Sequence, residues 1–273
     1  MDILGIDFTS RPKRRKPITC LRCRLDDDVL HAGQLEEWPN FEEFENALSQ
    51  SGPWIAGIDF PFGQSRTFIE TIGWPMNWEG YVRHAHALGR TGFREALNDY
   101  RQHRPAGSKE HRRRTDIAAG SISPQKLYGV PVGLMFFEGA HRLVSAGVTI
   151  PRLQNGDPDR IVVEAYPGVL ARQLLGRRSY KNDTRRKQTD DQRTARRDLL
   201  VQITDGGLRE RYDLTVNADN GLCDDPGGDH LDALLCAIQA AWAWRDRARG
   251  FGAPQDVDPL EGWIADPSLS DGA

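Results

Sequence analysis

The chain reads as an α/β protein built on a mixed sheet, and three observations lead there. The tetrapeptide Gly-Ile-Asp-Phe occurs twice, starting at Gly5 and at Gly57, and each copy closes a short apolar run. A further apolar run, Ile161-Val162-Val163, ends in Glu164 and then Ala165-Tyr166-Pro167. Short apolar runs bounded by turn residues are typical of buried strands in a parallel sheet. The carboxyl ends of such strands are where α/β sheets gather their ligand chemistry. Between the two copies lie alternating segments joined by short polar turns, which read as an antiparallel meander.

Taken in order, residues 3–8 form the first strand, and Arg11, Lys13, Arg14, Arg15 and Lys16 make a basic turn after it. Residues 18–25 alternate as a second strand, and Asp26-Asp27-Asp28 turns the chain into a third over about 29–35. Asn40 caps a helix with Phe41, Phe44 and Leu48 on one face, and Ser51-Gly52-Pro53 ends it. The strand leading to Asp59 follows. A strand–helix–strand crossover is right-handed, which makes this strand parallel to a neighbour and leaves the Asp7 strand in the middle of the sheet.

The stretch of about 64–158 is too long for a simple crossover. It carries helical patterns at 78–88, 92–103 and 132–146 and a basic, Gly/Ser-rich segment at 104–123, and reads as a helical insertion packed beside the active edge of the sheet. Residues 161–166 return to the core, and helices are predicted at 167–175 and 184–203. Pro226-Gly227-Gly228 leads into a last helix at 229–247. The expected organisation is one domain over 1–249 with an irregular tail at 250–273, where Pro254, Pro259 and Pro267 lie.

A chain of 273 residues can bury a full core. Its hydrophobic content of 38% and charged content of 27% are ordinary for a water-soluble protein. A formal net charge of -3 argues against a polycation that coats nucleic acid indiscriminately, and leaves room for a local basic face. Met1-Asp2-Ile3-Leu4 lacks the basic opening and apolar run of a signal peptide. No stretch approaches the roughly 18 apolar residues of a membrane span, so the expected location is the cytoplasm, with no membrane partner. Cys20 and Cys23 have zinc-knuckle spacing, but no second pair follows. On a strand, residues three apart face opposite sides, so reduced, structural cysteines are expected.

The last helix is apolar all round. Leu231, Leu234, Leu235, Ile238 and Trp242 form one stripe; Ala233, Cys236, Ala237 and Ala240 form a small-residue side. Such a helix is buried, and its small side can approach a sheet closely. Asp229 and Asp232 share a face at its start. Asp229 is open to a plain reading as a cap that favours the helix dipole. An acid within so apolar a segment as that of Asp232 must face a cavity or a cation.

Gly-Ile-Asp-Phe-Thr-Ser, Gly-Ile-Asp-Phe-Pro-Phe-Gly, Val-Glu-Ala-Tyr-Pro and Asp-His-Leu-Asp-Ala, in this order, resemble a family of predicted nucleases of RNase H-like fold. The last motif is also similar to the terminal-helix aspartates of Holliday-junction resolvases. The resemblance covers roughly 3–60 and 160–245. It implies an RNase H-like mixed sheet, antiparallel meander plus parallel strands, with flanking helices. It also implies catalytic Asp7, Asp59, Glu164 and Asp232 as ligands of Mg²⁺ or Mn²⁺, with Asp229 a possible fifth. The chemistry is coherent: phosphodiester hydrolysis by two cations needs hard oxygen ligands, and clustered carboxylates without a cation repel one another. His230 reads either as a proton shuttle or as a solvated histidine. Tyr166 reads either as a substrate stacker or as packing at the strand end.

Basic residues fall in two blocks, 101–114 and 172–197. In the second, Asp183, Asp190, Asp191 and Asp198 are interleaved, the usual look of a solvated helix laced with ion pairs. The first has fewer compensating acids, so Lys109, Arg112, Arg113 and Arg114, with Lys126 beyond them, are the predicted phosphate contacts for a DNA or RNA substrate. Two rival functions are an actin- or sugar-kinase-like ATP phosphotransferase and a non-catalytic adaptor of the same fold. No Gly-x-x-x-x-Gly-Lys-Ser/Thr loop is present, which removes a P-loop nucleotide site.

Overall fold

The structure, a computed structural model, describes residues 1–182 and 184–270; Asp183 of the charged stretch lies outside the described residues. The strands are β1 (Asp2–Asp7), β2 (Ile18–Asp26), β3 (Val29–Trp38), β4 (Trp54–Ile58), β5 (Val148–Thr149), β6 (Asp157–Glu164) and β7 (Thr215–Asn217). They form one sheet in the order β5-β6-β4-β1-β2-β3-β7. The β1-β2-β3 meander is antiparallel, while β4 runs parallel to β1 and β6 parallel to β4. This mixed α/β architecture is consistent with the RNase H-like class predicted from the sequence, and β1 is central, between β2 and β4. The short edge strands β5 and β7 carry too few residues for a periodicity to show.

Helices cover both faces. On one side lie α1 (Phe41–Ser49), α2 (Arg66–Ile72), α3 (Trp78–Ala87), α4 (Gly89–Gln102) and α6 (Val132–Ala146); the short α5 (Arg114–Ala118) precedes the last of these. Phe44, Phe68, Tyr81, Phe93 and Phe136 from these helices pack on Leu4, Ile6, Ile58 and Val162 of the sheet. The insertion therefore forms most of one layer, covering a whole face of the sheet. On the other side lie α7 (Pro167–Leu175), α8 (Asp190–Thr204), the short α9 (Arg209–Tyr212) and α10 (Asp229–Arg245), against Ile3, Ile55, Ile161 and Val163.

Local signals start the helices where they should. Asn40 accepts from the Glu43 N–H at 3.2 Å, and Asn77 from the Gly80 N–H at 2.7 Å. Thr189 and Gln192 form a capping box that opens α8 at Asp190, so the predicted helix from 184 begins later, after a single 3-10 turn at Arg185–Lys187. Cys20 joins one core and Cys23 the other, and all four cysteines are free and buried. The tail is irregular but firmly docked. The Ala265 N–H donates to the Glu164 C=O at 2.8 Å, and the Asp266 carboxylate, fully buried, accepts from Tyr212, Gln173, Gln239 and Ser268. Among the described residues no helix is long and apolar enough to cross a membrane.

Candidate active site

The repeated Gly-Ile-Asp is explained by α10. Residues two apart on a strand share a face, so Gly5 and Asp7 look the same way, as do Gly57 and Asp59. A Cβ on Gly5 would lie 1.9 Å from the Ala233 carbonyl oxygen, and one on Gly57 would lie 2.3 Å from that of Cys236. The glycines let the small side of α10 rest on the backbone of β1 and β4. The aspartates, one step beyond, then meet the first turn of that helix, where Asp232 is fully buried.

Asp7 closes β1, and Asp59 follows β4 with its N–H donating to the Ile6 C=O at 2.9 Å. The two carboxylates stand side by side at the carboxyl ends of adjacent parallel strands. Among the described residues neither accepts a hydrogen bond or makes an ion pair. Burial, and then the charges of Asp232 and Asp229, hold Asp7 well above the usual carboxylate range, with Lys181 opposing. Burial and Asp232 push Asp59 up to about 7. Burial, then Asp59 and Asp7, raise the Cys236 thiol that lies beneath them.

Two lysines answer the other two acids. Lys181 Nζ donates to Asp232 Oδ2, and the Tyr180 hydroxyl donates to Oδ1. Lys16 Nζ donates to both oxygens of Asp229, at 2.8 and 3.0 Å. Asp229 is raised by its burial, and Lys16 pulls it back. Sequence reasoning missed Tyr180 and Lys181, which sit in the block read as solvated. The available signal was a tyrosine standing alone in a run of charges.

Glu164 faces the other side of the sheet. It pairs in register with Ile58, whose side chain sits in the core opposite α10, so Glu164 follows Val162 to that face while Asp7 and Asp59 look to the other. There Arg113 donates to both its oxygens, at 2.7 and 2.5 Å, and the Phe62 N–H donates to Oε2 at 2.8 Å. Glu164, expected in a shared metal set, thus has its carboxylate engaged by a guanidinium, while its charge still contributes to raising Asp59.

Arg113, one of the expected phosphate contacts, is that guanidinium. It is 1% exposed, forks between Glu164 and Asp116, and also donates to the Glu261 C=O at 3.1 Å; it offers nothing to a phosphate. Of the other predicted phosphate contacts, Lys109 and Arg112 are not paired with an acid in the described residues, Arg114 pairs with Asp256 at 2.6 Å, and Lys126 lies over the Tyr128 ring at 5.1 Å. His230 Nε2 lies 3.7 Å from a Glu37 carboxylate oxygen. Tyr166 packs against the start of α7, with Arg172 over its ring at 5.5 Å.

The donor chemistry of Asp7, Asp59, Asp229 and Asp232 suits a hard divalent cation. Two of these carboxylates, Asp7 and Asp59, have no partner among the described residues, and they repel one another. As the side chains stand, no group of three or more His, Cys, Asp or Glu among the described residues has metal-holding geometry. The ammonium groups of Lys181 and Lys16 answer the charges of Asp232 and Asp229 instead.

Fold and site together define an α/β domain with aspartates gathered at the carboxyl edge of a mixed seven-stranded sheet. The chain belongs to the family described as Protein of unknown function (DUF429), whose profile matches residues 5–257, the helical insertion included. Neither a curated protein nor a solved structure gives a significant match.

Proposed function

We propose that the protein is a divalent-metal-dependent nuclease that hydrolyses phosphodiester bonds of DNA or RNA at Asp7, Asp59 and Asp232, with Asp229 alongside. The observation that carries this reading is the pair of carboxylates of Asp7 and Asp59, without a partner among the described residues, beside the buried Asp232. A charge cluster of this kind is relieved by a cation or by protonation. Bound Mg²⁺ or Mn²⁺ supplies Lewis acidity to a phosphate and lowers the pKa of a bound water.

The chain's own residues do the rest. Asp7 and Asp59 provide oxygen donors held rigidly by the two central strands. Tyr180 and Lys181 orient the Asp232 carboxylate. The Lys181 ammonium places positive charge where an anionic phosphate must arrive. Glu164 is left out of this set because Arg113 occupies it.

The test is cleavage of a mixed panel of DNA and RNA with Mg²⁺ or Mn²⁺. Asp7→Asn should lower the rate by orders of magnitude without unfolding the protein, and Glu164→Gln should keep the Mn²⁺-dependent rise in melting temperature. A wild-type protein that cleaves nothing in the panel and gains no stability from Mn²⁺ overturns the reading. Hydrolysis of ATP in place of nucleic acid would favour a phosphotransferase of related fold.

A further inference from the structure

Two cavities run together beside the aspartates. The first, about 410 Å³, opens between the turn after β1 and the segment before α8; Arg15, Lys16, Arg185 and Gln188 line it, with Pro226 and Asp229 opposite. The second, about 660 Å³, continues along α8 past Arg193 and Arg197 and shares Gln188 and Pro226 with the first. They make one groove that begins at Asp229 and leads away from the acid cluster.

The rim of that groove is positive. Five basic residues fall within 11–16 with no acid among them, and Arg185, Arg186 and Lys187 follow one another on the facing segment. Arg15, Arg185 and Arg197 are exposed and have no acidic partner among the described residues. Acids on the walls are already engaged, with Asp224 as the exception. Asp225 accepts from the backbone N–H groups of Gly227 and Asp229, and Asp190 pairs with Arg193 at 3.2 Å. Arg196, buried, is a strut that donates to the carbonyls of Cys223 and Tyr180.

We infer that this groove is the path of the substrate strand: a single-stranded nucleic acid lays its phosphates along Arg15, Arg185 and Arg197 and delivers one phosphodiester to Asp7, Asp59 and Asp232. The inference rests on the nuclease reading and supplies its binding surface, in place of the loop around Arg113. Charge complementarity selects the occupant. Cations from two separate segments, spread over two joined cavities, suit a polyanion with repeated charges better than a single phosphate. Phosphate binding of this kind carries sequence-independent affinity and makes it salt-dependent.

The experiment measures binding of a fluorescein-labelled single-stranded DNA oligonucleotide across a salt series, without divalent cation so that the strand stays intact. The combined variant Arg15→Ala, Arg185→Ala, Arg197→Ala should bind more weakly, and its slope of log affinity against log salt should flatten by about 0.7 for each phosphate no longer neutralised. Arg185→Glu alone should weaken binding in the same direction. Lys109→Ala, Arg112→Ala, Arg114→Ala together should leave the slope as in the wild type. Groove variants that bind like the wild type overturn the inference, as does a slope that flattens only in the second set. So does displacement of the oligonucleotide by inorganic phosphate at matched ionic strength. Mn²⁺-dependent stabilisation and cleavage report separately on the aspartates: cleavage that survives with an unchanged salt slope sinks the groove and spares the nuclease. Groove-dependent binding with no cleavage by the wild type does the opposite.

Discussion

Arg113 takes both carboxylate oxygens of Glu164, Nη1 at 2.7 Å from Oε2 and Nη2 at 2.5 Å from Oε1, and both side chains are buried. With Asp116 on its other side, this one guanidinium ties the insertion to the end of β6, and through the Glu261 C=O it ties in the tail. Removing one member of a buried charge network leaves the others uncompensated, which costs about 3–5 kcal/mol. Arg113→Met should lose stability of that order in urea unfolding, and the region around Glu261 should become open to proteolysis. A loss of under about 1 kcal/mol would place it in the range of an exposed ion pair and show that the network does not hold these parts together.

Gly5 sets the distance between β1 and α10. A methyl group there would meet backbone and not a flexible side chain, at 1.9 Å from the Ala233 oxygen, so strand and helix must separate. Overpacking of this kind costs about 1–3 kcal/mol or more. Gly5→Ala should lower the melting temperature and, by moving Asp232 away from Asp7, weaken Mn²⁺ stabilisation as well. Full Mn²⁺ stabilisation in a destabilised Gly5→Ala protein would mean that helix seating does not position the acids.

Lys181 pairs with Asp232. Lys181→Met keeps the length of the side chain and removes the charge, so Asp232 loses its paired cation and Asp7 loses a charge that lowers it. The metal-free variant should melt at a lower temperature, and the rise on adding Mn²⁺ should exceed that of the wild type. A rise no larger than the wild type's would show that the ammonium and the cation do not compete for these carboxylates.

Burial, with Asp232 next, pushes Asp59 up to about 7, against about 3.9 in an unfolded chain. Between those values the folded protein holds a proton that the unfolded chain has released. The stability this group contributes is therefore complete below about pH 4 and is lost as pH rises through about 7. In chelator, unfolding free energy should fall from about pH 4 to about pH 7, and Asp59→Asn should make that fall shallower. A slope unchanged in Asp59→Asn would place the titration on another group.

The sequence by itself determined the parts of this protein that depend on local period and composition. Alternation at period two puts Gly5 with Asp7 and Gly57 with Asp59, and the small side of the last helix shows what those glycines receive. The order of apolar runs and the meander turns set the mixed sheet, because β1, β2 and β3 pair in chain order and the strand after the crossover helix, β4, returns beside β1.

What only the tertiary structure decided depends on register and on where long segments dock. Glu164 ends a strand just as Asp7 does, yet it stands one step out of phase once β6 pairs with β4, and a single step turns a side chain to the opposite face. Arg113 looks like one basic residue among several until the insertion folds across the sheet and buries it against that acid. Lys181 and Arg185 sit in a run whose composition says solvent, and it is the docking of the α7–α8 connection over the start of α10 that brings them to the aspartates. Local patterns carry faces and caps; the meeting of residues far apart in the chain is set by packing energies summed over the whole core.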